Sequence, residues 1–289
     1  MSTSHNFPTD LDIYPSKPTL DAFTPSSADV LQVLRVQEDA IREYGIAGRI
    51  WEAAYALNAY LHPTGDVLYD PPFTLELSGN RLIELGSGTG MNAVLLDALL
   101  DPGRDVLYAT DLPEVCPLLN QTLNSSKSVR VRPLAWGDAT HALAIQTELD
   151  DQPLTHILCS DLVYFPHLLA PLLRSLIQLT SPSFGDPQII ISYRVRSLPK
   201  ETPFWTAFGL WFEFAPVLTR SHSGWQRFGA ELPDPTFVFV ARRRKHSREW
   251  PVPDSDAALL SGVGAHGTHT PKCDDTFETL LFMSLGSES

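Results

Sequence analysis

The fold class of this chain is decided by the stretch Arg81-Leu82-Ile83-Glu84-Leu85-Gly86-Ser87-Gly88-Thr89-Gly90. Its first half has the apolar character of a buried strand, and a helical pattern begins directly after it at Met91. Glycines at such a junction let the backbone turn tightly and approach a ligand without a Cβ atom in the way. The N–H groups at the start of the helix can bind an anionic group. The sequence therefore predicts a strand, a ligand-binding loop and a helix, with a plain tight turn as the alternative.

The spacing of the glycines separates two classes of ligand. A dinucleotide fingerprint has the pattern G-x-G-x-x-G, whereas Gly86, Gly88 and Gly90 form G-x-G-x-G and position 91 is a methionine. The observed spacing suits the amino-acid end of S-adenosylmethionine better than it suits a pyrophosphate. An NAD-dependent oxidoreductase is the alternative that this loop leaves open.

Strands and helices alternate along the chain after this loop. The predicted strands cover residues 81–85, 105–110, 129–136, 156–160, 189–193, 213–219 and 236–242. The predicted helices cover residues 91–100, a segment opened by Pro113, 166–179 and 201–212. Such alternation is typical of parallel β-α-β units, and the last two strands have no good helix between them. We therefore expect a Rossmann-like α/β fold with a mostly parallel seven-stranded sheet, an antiparallel final strand and helices on both faces.

Three regions are predicted along the chain. Residues 1–26 are rich in proline and polar residues and are expected to form an extended arm. Residues 27–245 are expected to form one domain, which begins with two helices that end near Gly45 and before Pro63. Residues 246–289 are expected to form a flexible tail, in which Thr279-Leu280-Leu281-Phe282-Met283 has the pattern of an extra strand.

The charge balance restricts the partners of the protein. The chain has 21 Lys and Arg against 34 Asp and Glu, a net charge of −13, whereas binding to a nucleic-acid backbone needs basic residues. The basic run Arg242-Arg243-Arg244-Lys245 is expected to be the solvated end of a strand. No secretory leader or apolar stretch of about 20 residues is evident. We therefore expect a cytoplasmic monomer without a nucleic-acid or membrane partner.

The cysteines and histidines indicate no metal site. Cys116, Cys159 and Cys273 are far apart, with no C-x-x-C pair and no histidine at ligand spacing, so neither a disulfide framework nor a zinc site is expected. Cys159 lies in an apolar run and is predicted to be a core residue. A histidine-based hydrolase is disfavoured because no nucleophile has a histidine at a partnered spacing.

Asp111 ends the second predicted strand. A carboxylate in this position can accept hydrogen bonds from both ribose hydroxyls of a nucleoside, in either a dinucleotide or a methyl donor. Its structural alternative, compatible with the first, is to cap the helix that Pro113 opens.

Four further stretches, in the same order along residues 46–242, give the chain a family resemblance. They are Gly48-Arg49-Ile50-Trp51-Glu52-Ala53-Ala54, Leu134-Ala135-Trp136-Gly137, Asp161-Leu162-Val163-Tyr164, and Tyr193-Arg194-Val195-Arg196 followed by Phe204. Together with the glycine loop they resemble the methyltransferase-like 21 group of seven-β-strand (class I) S-adenosylmethionine-dependent protein-lysine methyltransferases. The arm, the tail and the Pro71-Pro72 insertion depart from the pattern of that family.

The resemblance implies S-adenosylmethionine as the cofactor and a partner protein as the substrate, of the chaperone or translation-factor class. The residues that it implies for donor binding are Trp51, Glu84, Gly86, Gly88, Asp111, Leu112, Trp136 and Ser160. The indole of Trp136 could lie against adenine, and core packing is the alternative for both tryptophans.

Asp161 and Tyr164 are the predicted catalytic residues, because they follow the fourth strand at the edge where open α/β sheets bind ligands. Methyl transfer needs a neutral amine, and a free lysine, with a pKa of about 10.4, is almost entirely charged at pH 7. Asp161 would orient the amine and Tyr164 would pack against the aliphatic stem, so that alignment supplies most of the catalysis. Loop capping by Asp161 and simple packing by Tyr164 are the structural alternatives.

The predicted function is therefore methyl transfer to a lysine of a partner protein. A methyltransferase of small amines or of other side chains is the first alternative on the same fold. A non-catalytic adaptor that binds the donor is the second, and the presence of Asp161, Tyr164 and the glycine loop argues against it.

Overall fold

The apolar runs of the sequence form a central sheet in a computed structural model that describes residues 12–16, 37–221, 224–230, 232 and 235–285. The strands are β1 (Tyr69–Asp70), β2 (Arg81–Leu85), β3 (Val106–Asp111), β4 (Val129–Pro133), β5 (His156–Ser160), β6 (Gln188–Arg194), β7 (Phe212–Pro216), β8 (Leu218–Ser221), β9 (Gly224–Arg227) and β10 (Thr236–Arg243). Most of the predicted arm and the first part of the first predicted helix lie outside the described residues.

Seven of these strands form the main sheet, in the order β4-β3-β2-β5-β6-β10-β7. Strands β2 to β6 pair in parallel, and β10 is antiparallel to both β6 and β7. The predicted Rossmann-like sheet with an antiparallel final strand is thereby confirmed. The strand order reverses between β2 and β5, and open α/β sheets bind ligands at such a switch point.

The helices cover both faces of this sheet. They are α1 (described over residues 37–44), α2 (Glu52–Leu61), α3 (Met91–Asp97), α4 (Cys116–Thr122), α5 (Ala139–Leu149), α6 (Pro166–Leu179), α7 (Leu198–Trp211), α8 (Asp256–Leu260) and α9 (Thr276–Leu285). Successive strand residues face opposite sides, so that Leu82 packs in one core with α2, α3 and α4 and Ile83 in the other with α5, α6 and α7. Cys159 is buried in the second core, as predicted.

Three elements differ from the prediction in the middle of the chain. Helix α5 was not expected, because its apolar residues are few; the Asp138 side chain caps it by accepting hydrogen bonds from the N–H groups of Thr140 and His141. Strand β4 ends at Pro133, which leaves Trp136 in a loop. A separate three-stranded sheet, β1-β8-β9, was also not expected.

The predicted flexible tail and its strand are wrong for residues 246–285. Leu259, Ala265 and Phe277 are fully buried, and the Phe277 ring stacks on Trp205 of α7 with centroids 5.0 Å apart. The segment 279–283 belongs to helix α9, since its inward residues recur at helical spacing while Phe282 is 78% exposed. Leu280 and Leu281 therefore lie with Phe277 on the inward side of the helix, whereas Phe282 and Met283 of the same run are exposed.

The basic run at the end of β10 is only partly solvated. Arg243 is buried, and its guanidinium donates to the carbonyl oxygens of Ile177 (3.0 Å) and Ser247 (2.7 Å). It also lies over the Trp211 ring, and burial lowers its pKa to about 10. The expectation of a solvated strand end is therefore wrong for Arg243, because the helices after β10 cover it.

Candidate active site

A cavity of about 580 Å³ lies at the carboxyl ends of β2, β3 and β5. All ten site residues predicted from the sequence line it: Trp51, Glu84, Gly86, Gly88, Asp111, Leu112, Trp136, Ser160, Asp161 and Tyr164. The roles assigned to them stay predictions, but the fold brings together residues that are more than a hundred positions apart in the sequence.

The glycine loop forms the floor of the cavity and requires glycine at two positions. Gly86 has a φ of 58°, and a Cβ atom there would lie 2.8 Å from Leu162 Cδ2 and 3.2 Å from the Trp136 ring. Gly88 has a φ of 53°, and a Cβ atom there would lie 3.0 Å from the Ala47 carbonyl oxygen. Side chains at these positions would fill the space over the loop, so the loop is shaped for a closely approaching ligand.

Glu84 is a buried carboxylate that retains hydrogen-bonding capacity. Its Oε1 accepts a hydrogen bond from Asn92 Nδ2 (3.1 Å), whereas Oε2 has no partner among the described residues. The residue is 1% exposed, and burial raises its pKa to about 7. An unpartnered buried carboxylate oxygen suits an ammonium group, such as the one at the amino-acid end of S-adenosylmethionine.

Asn92 is a site residue that the sequence reasoning missed. It is 4% exposed, and its Oδ1 is a second buried acceptor without a partner among the described residues, beside the free oxygen of Glu84. The sequence signal that could have identified Asn92 is a polar residue in the first turn of the helix that follows the glycine loop.

Asp111 is held beside the glycine loop. Its carboxylate accepts hydrogen bonds from the N–H groups of Gly88 and Leu112, both at 2.8 Å. Burial raises its pKa to about 6. Helix α4 begins only at Cys116 and has no side-chain cap, so the capping alternative is wrong and the carboxylate faces the cavity.

Both tryptophans line the cavity, and Trp136 also packs against one of the two cores. Trp51 donates from Nε1 to the Ile46 carbonyl oxygen (3.1 Å), and the Arg49 guanidinium lies 4.1 Å from the centroid of its ring. Trp136 meets the Tyr164 ring edge-on at 6.3 Å. Both indoles are partly exposed toward the cavity, as the predicted contacts with the donor require.

The segment before α1 supports one wall of the cavity. Ser16 is buried and its hydroxyl donates to the Ile50 carbonyl oxygen (2.5 Å), while Gln37 Oε1 accepts from the Ile50 N–H (3.0 Å). The Ser16 and Gln37 side chains therefore fix the backbone just before Trp51. The prediction of a loose arm does not apply to this described segment.

Asp161 and Tyr164 lie together on the loop after β5. Asp161 has a φ of 62°, and its carboxylate accepts two hydrogen bonds from the Arg196 guanidinium, one of them 2.6 Å long from Nη1. The Tyr164 ring packs between Trp136 and Phe165, and burial raises the pKa of its hydroxyl. The Asp161 side chain is not a loop cap, because Arg196, on the loop after β6, binds both of its oxygens.

Glu201 organises the loop that carries Arg196 and was also missed by the sequence reasoning. It is 1% exposed and accepts hydrogen bonds from the N–H groups of Ser197 (2.9 Å) and Arg196 (3.2 Å), and from the Tyr193 hydroxyl. The sequence signal that could have identified Glu201 is an acidic residue in the first turn of a helix that follows Arg194 and Arg196.

Among the described residues, no group of three His, Cys, Asp or Glu side chains is placed to hold a metal ion. No helix among the described residues is long and apolar enough to cross a membrane.

The sheet, the glycine loop and the two carboxylates beside it define a class I S-adenosylmethionine-dependent methyltransferase. Residues 30–208 match the family model of the lysine methyltransferases, and the chain therefore belongs to that family. The enzyme class is thus protein-lysine N-methyltransferase, as the resemblance implied.

The chain is also similar to the following two relatives and one solved structure. Protein N-lysine methyltransferase METTL21A of Danio rerio is 31% identical over 191 residues, which cover 62% of this chain and 76% of that protein. EEF1A lysine methyltransferase 3 of Xenopus tropicalis is 26% identical over 56% of this chain and 64% of its own length. An O-methyltransferase from Bacillus cereus in complex with SAH is 13% identical, with a TM-score of 0.41, and covers 78% of this chain and 94% of that one.

Proposed function

We propose that this protein methylates a lysine side chain on a chaperone or a translation factor, as a cytoplasmic monomer without a nucleic-acid or membrane partner. The substrate class is supported by the family resemblance and by the relative whose name gives EEF1A as its substrate. The absence of a nucleic-acid partner is supported by the net charge of −13.

The donor end of the cavity carries the groups that the methyl donor needs. Glu84 Oε2 would accept from its ammonium group, Asp111 from its ribose hydroxyls, and Trp136 would lie against its adenine. Gly86 and Gly88 would leave room for the part of the donor that contacts the backbone of the loop. Trp51, Leu112 and Ser160 also line the cavity. When bound, S-adenosylmethionine supplies an electrophilic methyl group on a positively charged sulfonium.

The acceptor end would receive the lysine. Asp161 and Tyr164 lie on one loop that lines the same cavity, and the Tyr164 ring contacts that of Trp136. The observation that carries the proposal is this continuity, because a methyl group and an amine must meet inside one enclosed space. Tyr164, with its ring packed on Trp136 and Phe165, would hold the lysine stem, and Asp161 would orient the amine. Alignment of this kind contributes more than proton transfer to such a displacement.

The test is incubation of the purified enzyme with S-adenosylmethionine labelled at its methyl group and a lysate of its own cells. We expect label in a discrete protein band, at a lysine identified by mass spectrometry, and none with the variant Asp161→Asn. Label confined to small amines would favour the first alternative. Donor binding by calorimetry without any transfer would favour a non-catalytic adaptor.

A further inference from the structure

Arg196 takes the place on Asp161 that the substrate's ammonium group would need. The guanidinium contacts both carboxylate oxygens as a two-pronged ion pair, with Nη1 at 2.6 Å from Oδ1 and Nη2 on Oδ2. The Asp161 side chain is 1% exposed, whereas that of Arg196 is 28% exposed. Arg196 therefore stands between the carboxylate and the mouth of the cavity, and an amine reaches Asp161 only when the guanidinium moves.

A second carboxylate lies near the guanidinium, that of Glu52, which Arg196 would share with Arg49 on Oε1 and with Arg194 on Oε2. Glu52 Oε2 lies 3.9 Å from Arg196 Nη2, and the Trp51 ring centroid lies 5.3 Å from the same guanidinium. The backbone of the loop stays anchored during such a movement, because Glu201 binds the N–H groups of both Arg196 and Ser197. A side-chain rotation from Asp161 toward Glu52 thus exchanges one carboxylate for another without unfolding the loop.

We propose that Arg196 is a specificity-determining residue. It blocks the access of free amines to Asp161, but a lysine of a bound protein displaces it. The inference rests on the proposed function, since it requires Asp161 to face the substrate amine. A free amine gains only its own contact with Asp161, and this contact does not offset the loss of the charge-assisted, two-pronged ion pair between Asp161 and Arg196. A lysine on a docked protein also brings the contacts of the surrounding surface, and that additional binding energy can displace the guanidinium.

The test uses n-butylammonium as a free mimic of the lysine side chain. Its binding to the ligand-free wild-type enzyme and to the variant Arg196→Gln is measured by ligand-observed NMR, so the readout does not depend on turnover. We expect at least about tenfold tighter binding to Arg196→Gln, the factor that corresponds to 1.4 kcal/mol. Arg196→Lys, which keeps the charge but loses the two-pronged geometry, should lie between them.

Two control variants separate this effect from a general change of charge. Arg42→Gln removes an exposed arginine of α1 that pairs with Asp39 at 2.8 Å and does not line the cavity; it should bind the amine as the wild type does. The double variant Asp161→Asn/Arg196→Gln should lose the gain. Equal affinity of the wild type and Arg196→Gln, or a gain that survives the loss of the carboxylate, would overturn the proposal.

The same variants distinguish this proposal from the proposed function. With S-adenosylmethionine present, Arg196→Gln should methylate n-butylamine at least about tenfold faster than the wild type at subsaturating amine, the same factor as in binding. If the wild type methylates no protein lysine, the proposed function fails whatever the amine binding shows. If the wild type methylates its protein and Arg196→Gln does not bind the amine more tightly, only the role of Arg196 fails.

Discussion

The two ends of the cavity each contain a deeply buried carboxylate, but the fold treats them in opposite ways. Glu84, at the donor end, keeps an oxygen without a partner among the described residues, and its pKa is raised to about 7 by burial. Asp161, at the acceptor end, has both oxygens taken by Arg196. Under the proposed function, the ligand would bring the cation that pairs with Glu84, whereas the substrate would displace the guanidinium that already pairs with Asp161.

The largest expected effect is on the free energy of unfolding, when the packing of α9 behind the acceptor end of the cavity is removed. Phe277 of α9 packs on Trp205 and on Tyr193, whose hydroxyl bonds to Glu201. Phe277→Ala should lower the free energy of unfolding by about 3–5 kcal/mol, as is typical for a buried phenylalanine. Urea denaturation measures it. Phe282→Ala, at a position of the same helix that is 78% exposed, should change it by less than about 0.5 kcal/mol, and equal effects of the two changes would mean that α9 does not pack as described.

Asp161→Asn should reduce turnover by about 100-fold or more, the range for loss of a positioned polar group. Asparagine keeps the size of the side chain and tolerates the left-handed backbone at φ 62°, so affinity for S-adenosylhomocysteine should stay nearly constant, whereas thermal stability should fall because the change breaks the ion pair with Arg196. Parallel measurement of turnover and of affinity is the check. Retained activity would mean that Asp161 has only a structural role. Loss of activity together with loss of donor affinity would indicate that Asp161 contacts the donor.

Asp111→Ala should weaken donor binding by about 10- to 100-fold, because it removes charge-assisted hydrogen bonds worth about 1.5–3 kcal/mol each. Stability should fall by about 1–3 kcal/mol, because the N–H groups of Gly88 and Leu112 lose the carboxylate that they bind. Calorimetry with S-adenosylmethionine measures the change. The matched control is Glu114→Ala, an exposed acid three residues away that does not line the cavity; an equal loss there would indicate long-range charge rather than contact.

The smallest effect concerns pH and separates the two ends most directly. The Glu84 pKa of about 7 means that the carboxyl is mostly protonated at pH 6 and mostly ionised at pH 8, so donor affinity should fall by about tenfold between pH 8 and pH 6. Asp111, with a pKa raised to about 6, acts in the same direction at lower pH. Glu84→Gln should remove the part of the titration centred on pH 7, and an unchanged profile would contradict the assignment.

The same raised pKa has a consequence of opposite sign for the ligand-free enzyme. A carboxyl whose pKa is higher in the folded than in the unfolded chain contributes stability at low pH, and this contribution is lost as the pH rises through about 7. The melting temperature of the wild type relative to Glu84→Gln should therefore fall between pH 5 and pH 8. Bound donor should reverse the trend by supplying the missing cation.

Much of the site could be predicted because its signals are local. The glycine loop, Asp111 and the loop of Asp161 each follow a strand directly, and parallel strands bring such loops to one edge of the sheet. The tail was mispredicted because an apolar run of five residues has no length from which to tell a strand from a helix. Helix α5 was missed because its stability comes from a cap and from tertiary packing more than from its own apolar pattern.

The sequence by itself determined the fold class, the family and ten of the residues that line the cavity, since these depend on hydrophobic periodicity and on short motifs beside the strands. Only the tertiary structure decided what each carboxylate meets. Arg196 reaches Asp161 from 35 residues further along the chain, while Glu84 Oε1 accepts a hydrogen bond from the side-chain amide of Asn92. The physical reason is that the charge state and accessibility of a buried group depend on its neighbours in space, and a strand order that reverses beside β2 brings those neighbours from distant parts of the chain.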